Sequence, residues 1–307
     1  MVYKRILVLG GSGFIGRELI KKIGNKTKIF VLDKKKIKLN CKKNIKFLKG
    51  SIFGKNLIKK LKNIEAVFFL IGKKGGPKSI NINSATSYIQ SNTETLNFFL
   101  KNFKSKTLKK IVFLSSEHVY GGEKSKIKEV YNKETFPKNY YGLSKLLSEK
   151  ILYKYHKKNK VSVDVIRFPR VISIFEKNFL NVMVKSAIYK NKIMIKKTNT
   201  KFNFIYIDDL INAMVKCLKK NTKEFNIFNV FNNSKPNSLS SIAKEIKRNL
   251  NKKIQIKKTK NISSDHNPTQ LIVSNKTTKK NLKWKPKFST NEIINKLIKH
   301  YEVKKYS

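Results

Sequence analysis

The segment Ile6-Leu7-Val8-Leu9-Gly10-Gly11-Ser12-Gly13-Phe14-Ile15-Gly16 constrains this chain more than any other. Four apolar residues in a row, with no polar alternation, read as a strand buried on both faces. Glycines at a spacing of three follow, and the stretch from about Phe14 to Ile23 then reads as a helix. In that strand–turn–helix setting Gly10 permits a tight turn, Gly13 lets the backbone approach a pyrophosphate, and Gly16 lets helix and strand pack closely. The helix N-terminus adds N–H donors and a partial positive charge suited to phosphates. Gly10, Gly13, Phe14, Ile15 and Gly16 are therefore candidate cofactor-binding residues.

The same alternation continues along the chain. Lys28–Asp33, Ile45–Leu48, Ala66–Ile71, Lys110–Ser116 and Val161–Arg167 read as further strands, with helices expected over about 84–103 and 141–155. Strands alternating with helices predict an α/β fold, a Rossmann-type doubly wound parallel sheet. Beyond Arg167 the pattern is irregular. Phe204–Asp209 reads as a short strand or loop opening a helix Leu210–Lys219, with Asp208 or Asp209 as its cap. Phe225–Val230 is a strand candidate, and Ser238–Leu250 and Asn291–Tyr301 are helix candidates. The expected division is residues 1–170 as the dinucleotide-binding domain and 171–307 mostly as a smaller substrate-binding lobe, with about 204–220 returning to the first domain.

Composition narrows the function classes. The 307 residues carry a net charge of +52, which raises the prospect of a nucleic-acid or anionic-membrane partner. Only five of the 70 cationic residues are arginine, the residue that nucleic-acid readers favour for its planar fork. Lysine is instead spread over the whole chain beside abundant Asn, Ile and Phe, as an A+T-biased genome produces. No specific nucleic-acid partner is expected. No apolar run approaches the roughly 18–20 residues of a membrane span, so neither a membrane nor a secretory route is expected. Cys41 and Cys217 stand apart as reduced thiols, and the four histidines have no metal-ligand spacing. The chain reads as a cytoplasmic protein without a metal.

Asp33 ends the second strand, where a carboxylate accepts both hydroxyls of an adenosine ribose and repels a 2′-phosphate, favouring NAD; Lys34 to Lys36 beside it oppose that preference. Tyr141 and Lys145 are four apart on one face of a helix. A tyrosine with its ordinary pKa near 10 is a poor base at neutral pH, and a neighbouring ammonium and a cationic nicotinamide would both favour tyrosinate. Lys145 is also placed to hold the nicotinamide ribose. Ser116 ends the fifth strand at the carboxyl edge of the sheet, placed to hydrogen-bond the same substrate oxygen. Ser116, Tyr141 and Lys145 are the candidate catalytic residues, and Tyr141 and Lys145 are counted with the cofactor site.

On these residues the chain resembles an extended short-chain dehydrogenase/reductase of the NAD-dependent epimerase/dehydratase type. The resemblance is carried by Gly10–Gly16, Asp33, Ser115-Ser116-Glu117-His118-Val119-Tyr120-Gly121 and Tyr140-Tyr141-Gly142-Leu143-Ser144-Lys145. Phe204–Leu210 and Asn281-Leu282-Lys283-Trp284-Lys285-Pro286 extend it over essentially the whole chain. It implies NAD as cofactor, a nucleotide-linked sugar as substrate, a transient 4-keto intermediate with Tyr141 exchanging the 4-hydroxyl proton, and a homodimer built on helices near Tyr141. The alternatives left open are an NAD(P)H-dependent reductase of a keto-sugar and a non-catalytic dinucleotide-sensing or RNA-associated relative.

Several positions depart from the family pattern. Where its 4,6-dehydratases carry an acid two positions before the Val-Tyr-Gly tyrosine, this chain has His118, with Glu117 one earlier; both are possible acid/base groups. Arg170 replaces a frequent asparagine, Phe202 stands at an arginine position, and no arginine lies near Asp265-His266. Arg170 and Lys201 are the residues left to hold a diphosphate. Ser51 stands where an aspartate often contacts the adenine.

Overall fold

The computed structural model describes residues 3–24, 27–36, 43–121, 126–127, 129, 135–176, 178–197, 201–220, 223–232, 235–262 and 272–306. Cys41, Asp265 and His266 lie outside them. Seven strands form one sheet: β1 (Arg5–Leu9), β2 (Lys28–Asp33), β3 (Ile45–Lys49), β4 (Ala66–Phe69), β5 (Lys110–Leu114), β6 (Ser162–Arg167) and β7 (Phe225–Asn229). All pairs are parallel and the order is β7-β6-β5-β4-β1-β2-β3.

The apolar runs explain the layering. Ile6 and Val8 of β1, with Ile29 and Val31 of β2, enter one core cluster, while Leu7, Leu9, Phe30 and Leu32 enter a second on the opposite face. A sheet covered on both sides needs such runs instead of alternation. Helix α1 (Phe14–Ile23) buries Gly16, Leu19, Ile20 and Ile23, one stripe at helical spacing, and leaves its lysines outside. Each of those buried aliphatic side chains contributes roughly 1.5–3 kcal/mol.

The chain builds outward from β1 to β3, then returns to β4 on β1's other side. That reversal opens a crevice beyond the carboxyl ends of β1 and β4, the place where open α/β sheets bind ligands. At the amino ends of β5 and β6 the polar groups pair with one another. Lys110 Nζ lies 2.7 Å from Asp164 Oδ2 and 2.9 Å from Ser162 Oγ, fully buried.

The helix expected over 84–103 is divided. Ala85–Tyr88 is α-helical, Ile89–Glu94 is a π segment, and α2 (Thr95–Asn102) resumes the α pitch. Asn92 and Thr93 in the widened turn reach helix α3 (Tyr140–Asn159): Asn92 Nδ2 donates to Ser144 Oγ at 2.8 Å, and Thr93 Oγ1 donates to the Ser144 carbonyl at 2.9 Å. Thr95 Oγ1 also returns a hydrogen bond to the Gln90 carbonyl, at 2.9 Å. Side-chain bonds of this kind favour a local π bulge, a feature frequent near functional sites.

Beyond β6 lie helices α4 (Phe179–Lys190), α5 (Ile207–Lys219), α6 (Leu239–Leu250), α7 (Lys276–Leu282) and α8 (Thr290–Tyr306). Helices α4, α6 and α8 pack on one another beside a parallel strand pair, Lys192–Lys197 with Gln255–Ile262. Helix α5 packs against α1 and β5, and β7 then completes the sheet, so the chain also returns beyond the segment 204–220. Asp208 and Asp209 do not cap α5, which begins at Ile207 with no side-chain cap. The carboxylate of Asp209 instead accepts the backbone N–H groups of Lys287 and Phe288 at 2.9 and 3.1 Å, and its carbonyl accepts Trp284 Nε1 at 3.1 Å. The closing segment is thereby pinned to α5. Among the described residues no helix is long and apolar enough to cross a membrane, and no cluster of three His, Cys, Asp or Glu side chains forms a metal site.

Candidate active site

The crevice at the β1/β4 reversal is a cleft of about 780 Å³ lined by Gly10, Ser12, Gly13, Asp33, Ile71 and Gln90 among others. Gly16 lies behind it at the helix–turn contact, where an added Cβ would come within 2.6 Å of Gly11 Cα and 2.7 Å of the Gly10 carbonyl. Both obstacles are backbone, so only glycine fits. Phe14 and Ile15 open α1 behind the cleft wall, and Gly13 gives that helix no side-chain cap. Its first-turn N–H groups are thus left for a ligand.

Asp33 lines the cleft with its carboxylate anchored by the turn. One oxygen accepts Ser12 N–H at 3.0 Å and the other accepts Lys35 N–H at 3.1 Å, which leaves a lone pair on each for a diol. Lys34 and Lys35 line the same wall. Ser51 turns away, bonding the Phe53 N–H at 3.2 Å, and Gly50, Ile52 and Phe53 line the cleft in its place. A phosphate cradle, a ribose carboxylate and an apolar adenine wall in one crevice fit an adenine dinucleotide.

Ser116, Tyr141 and Lys145 are brought together past the end of β5. Ser116 leaves the strand in extended conformation and its Oγ receives the His118 N–H at 3.3 Å. The Ser116 side chain acts on the Tyr141 hydroxyl and favours its ionised form. Lys145, one turn further along α3, donates from Nζ to the Leu114 carbonyl at 2.9 Å. The electrostatics differ from the sequence expectation. Burial pushes the Tyr141 hydroxyl up to about 12, with Glu117 adding to the rise and Ser116 opposing it. Burial also lowers Lys145 to about 8, against the pull of Glu149. The protein alone therefore holds Tyr141 as the neutral phenol, chiefly because burial disfavours its charged form.

Behind the triad stands a network that the sequence reading missed. Glu149, one turn beyond Lys145, makes a two-pronged ion pair with Arg167 of β6, at 3.0 Å to Nε and 2.5 Å to Nη2, and also accepts from Ser115 Oγ. Arg167 lies over the Tyr120 ring, whose hydroxyl donates to Asn229 Oδ1 at 2.6 Å. Tyr141, Lys145 and Glu149 fall on successive turns, so one charged row on an inward face was the available signal.

The Tyr141 ring is bounded by Gly75 and by His118 and Tyr88, with centroid distances of 5.3 and 6.1 Å to those two rings. Glu117 is buried and raised to about 8, mainly by desolvation, with the Arg170 charge and a hydrogen bond from Asn203 acting against the rise. The guanidinium of Arg170 lies 5.1 Å from the centroids of both Phe179 and Phe202. Phe202 thus stacks on the very arginine that replaces asparagine. Lys201 stands exposed, paired in register with Ser238.

Residues 6–230 match the family described as the NAD dependent epimerase/dehydratase family. Among curated proteins, a dTDP-D-glucose 4,6-dehydratase of Dictyostelium discoideum is 27% identical over 256 residues, 75% of this chain and 58% of that protein. The match thus spans less than two thirds of that relative. A UDP-glucose 4-epimerase of Lactobacillus helveticus is 26% identical over 315 residues, 92% of each chain. Among solved structures, a UDP-glucuronic acid 4-epimerase from Bacillus cereus in complex with UDP-glucuronic acid and NAD superposes with a TM-score of 0.81 at 20% identity, over 99% of this chain and 100% of the other. With that match spanning most of its length, from the first strand to the last strand of the sheet, the chain belongs to the NAD-dependent epimerase/dehydratase family.

Proposed function

We propose that this chain acts on a nucleotide-linked sugar through a transient 4-keto intermediate, as an epimerase or dehydratase that returns its cofactor unchanged. The observation that carries this reading is Ser116 acting on the Tyr141 hydroxyl with Lys145 one turn behind, past the carboxyl edge of the sheet that also carries the dinucleotide cleft. Gly10, Gly13 and Asp33 hold the dinucleotide, with Phe14, Ile15 and Gly16 forming the helix start behind it. Bound NAD⁺ supplies a hydride acceptor and a positive charge beside a phenol that the protein alone keeps neutral. Tyr141 takes the proton of the sugar 4-hydroxyl and later returns it, and Ser116 holds the same oxygen through both transfers. Lys145 supports the ribose and the tyrosinate. Arg170 and Lys201 face the diphosphate in this reading, a planar fork and a point charge. Residues 1–170 then form the dinucleotide domain and 171–307 most of the sugar-binding lobe, in a cytoplasmic homodimer; light scattering tests the dimer.

Lys34 and Lys35 beside Asp33 favour a second reading, a keto-sugar reductase drawing on NADPH. Identifying the small molecules released on denaturation separates the two: retained NAD near one per chain supports the first, and an empty protein that takes up NADPH supports the second. Tyr141→Phe is expected to abolish turnover of nucleotide sugars while the dinucleotide still binds. Near-parental turnover in that variant would sink the assignment.

A further inference from the structure

His118 presents its ring nearly edge-on to Tyr141, with centroids 5.3 Å apart at 73°, and its Nδ1 lies 2.8 Å from Nδ2 of Asn139. The backbone decides which atom carries the hydrogen between them. Asn139 caps α3, and its Oδ1 accepts the Gly142 N–H at 2.8 Å. A backbone N–H only donates, so the amide has its oxygen on Gly142 and its NH₂ on the imidazole. Nδ1 must then accept, and the neutral ring carries its proton on Nε2. Protonating Nδ1 would set two N–H donors against each other at 2.8 Å.

We propose that Asn139 locks His118 as the neutral Nε2–H tautomer, so that the imidazole packs edge-on against Tyr141 as a positioning group and not as a base, and that the chain therefore epimerises its sugar without eliminating water. This rests on the reading of the site given above and selects one branch of it. Elimination from a 4-keto sugar breaks C5–H and C6–O and forms a C5–C6 double bond. It needs a base to take the C5 proton and an acid to protonate the departing C6 hydroxyl. In the Ser115–Gly121 segment only Glu117 and His118 have the chemistry for these tasks. Glu117, raised to about 8 by burial, can serve as the acid but is mostly protonated and a poor base at neutral pH, and the basic nitrogen of His118 is occupied by Asn139, so the base for the C5 proton is missing. Epimerisation asks for neither group, because a single proton passes between the sugar O4 and Tyr141 and returns.

The first measurement is ¹⁵N NMR of the histidine side chains in the full chain, with His118→Gln assigning the signal among the four histidines. The expected pattern for His118 is a pyridine-type Nδ1 and a pyrrole-type Nε2. Asn139→Asp keeps a competent helix cap but replaces the NH₂ with an acceptor, so Nδ1 should become pyrrole-type. A pyrrole-type Nδ1 in the parent protein, or a pyridine-type Nδ1 in Asn139→Asp, overturns the proposal whatever the activity. The second measurement is mass analysis of nucleotide-sugar products. An isomer of unchanged mass agrees, and a product lighter by one water refutes the absence of elimination. His118→Gln, which retains a donor, should lower kcat by about tenfold or less. A loss of about 10²–10⁴-fold, the size expected for a removed acid/base group, would make His118 a proton-transfer residue instead.

Discussion

Gly75 is the position where one methyl group most directly tests whether the placement of Tyr141 governs turnover. A Cβ at residue 75 would fall 2.6 Å from Tyr141 Cδ1, 3.0 Å from Cε1 and 3.1 Å from Cγ. Ordinary carbon contacts lie at about 3.5–4.0 Å, so the ring must retreat by about 1 Å. Three of its atoms meet the methyl together, so the ring shifts as a whole and carries its hydroxyl away from Ser116. A displacement of that size costs about 10²-fold in rate, or about 2.7 kcal/mol of barrier. Gly75→Ala should therefore lower kcat on a nucleotide sugar about 10²-fold while the dinucleotide content and the thermal midpoint stay near parental. Gly76→Ala provides the control. A Cβ there meets nothing within 4 Å and the backbone is extended, so its kcat should be unchanged. If Gly75→Ala keeps kcat within about threefold of the parent, or both variants lose it equally, positioning of the ring is not what limits turnover.

Glu149→Gln leaves the buried Arg167 guanidinium without its counter-charge, and denaturant unfolding should show a loss of about 3–5 kcal/mol; a change below about 1 kcal/mol would remove the ion pair from any structural role. Glu117 sets a pH dependence. Its folded value, about 8, exceeds the ordinary 4.5, so its contribution to stability is fully present below about pH 4.5 and is lost as pH rises toward 8. Glu117→Gln has no such loss, and its thermal midpoint should gain on the parent's between pH 5 and 8; a constant gap across that range refutes the burial argument.

The parallel sheet was legible because continuous apolar runs allow little else: β2 and α1 fall on the expected residues, and the other strands begin and end within two. The Ser116–Tyr141–Lys145 grouping was legible from helical spacing and the sheet edge, read together with the glycine signature that precedes them. Other features depend on partners far along the chain. The π segment at Ile89–Glu94 exists because Asn92 and Thr93 reach Ser144, a contact no local pattern announces. Asp209 read as a helix cap because caps are local, whereas its N–H partners arrive from Lys287 and Phe288. The high tyrosine value also escaped the sequence. Proximity of Lys145 was visible, but not that its ammonium turns to the Leu114 carbonyl. Helix α4 does carry cap signals, Asn178 accepting the Leu180 and Asn181 N–H groups and Asn191 closing the helix in the left-handed region, but single asparagines do not stand out in a chain so rich in them.

The position of β7 at the outer edge of the sheet has a consequence for how the protein is made. β6 ends at Arg167 and β7 begins at Phe225, 58 residues later (225 − 167). At about 5–20 residues per second, ribosomal synthesis leaves the outer edge of β6 without its partner for roughly 3–12 s. For that interval the backbone of Val163–Arg167 is a strand edge open to other nascent chains. A cell producing this protein in quantity would do better to slow initiation than to slow elongation, since spaced ribosomes keep those edges apart.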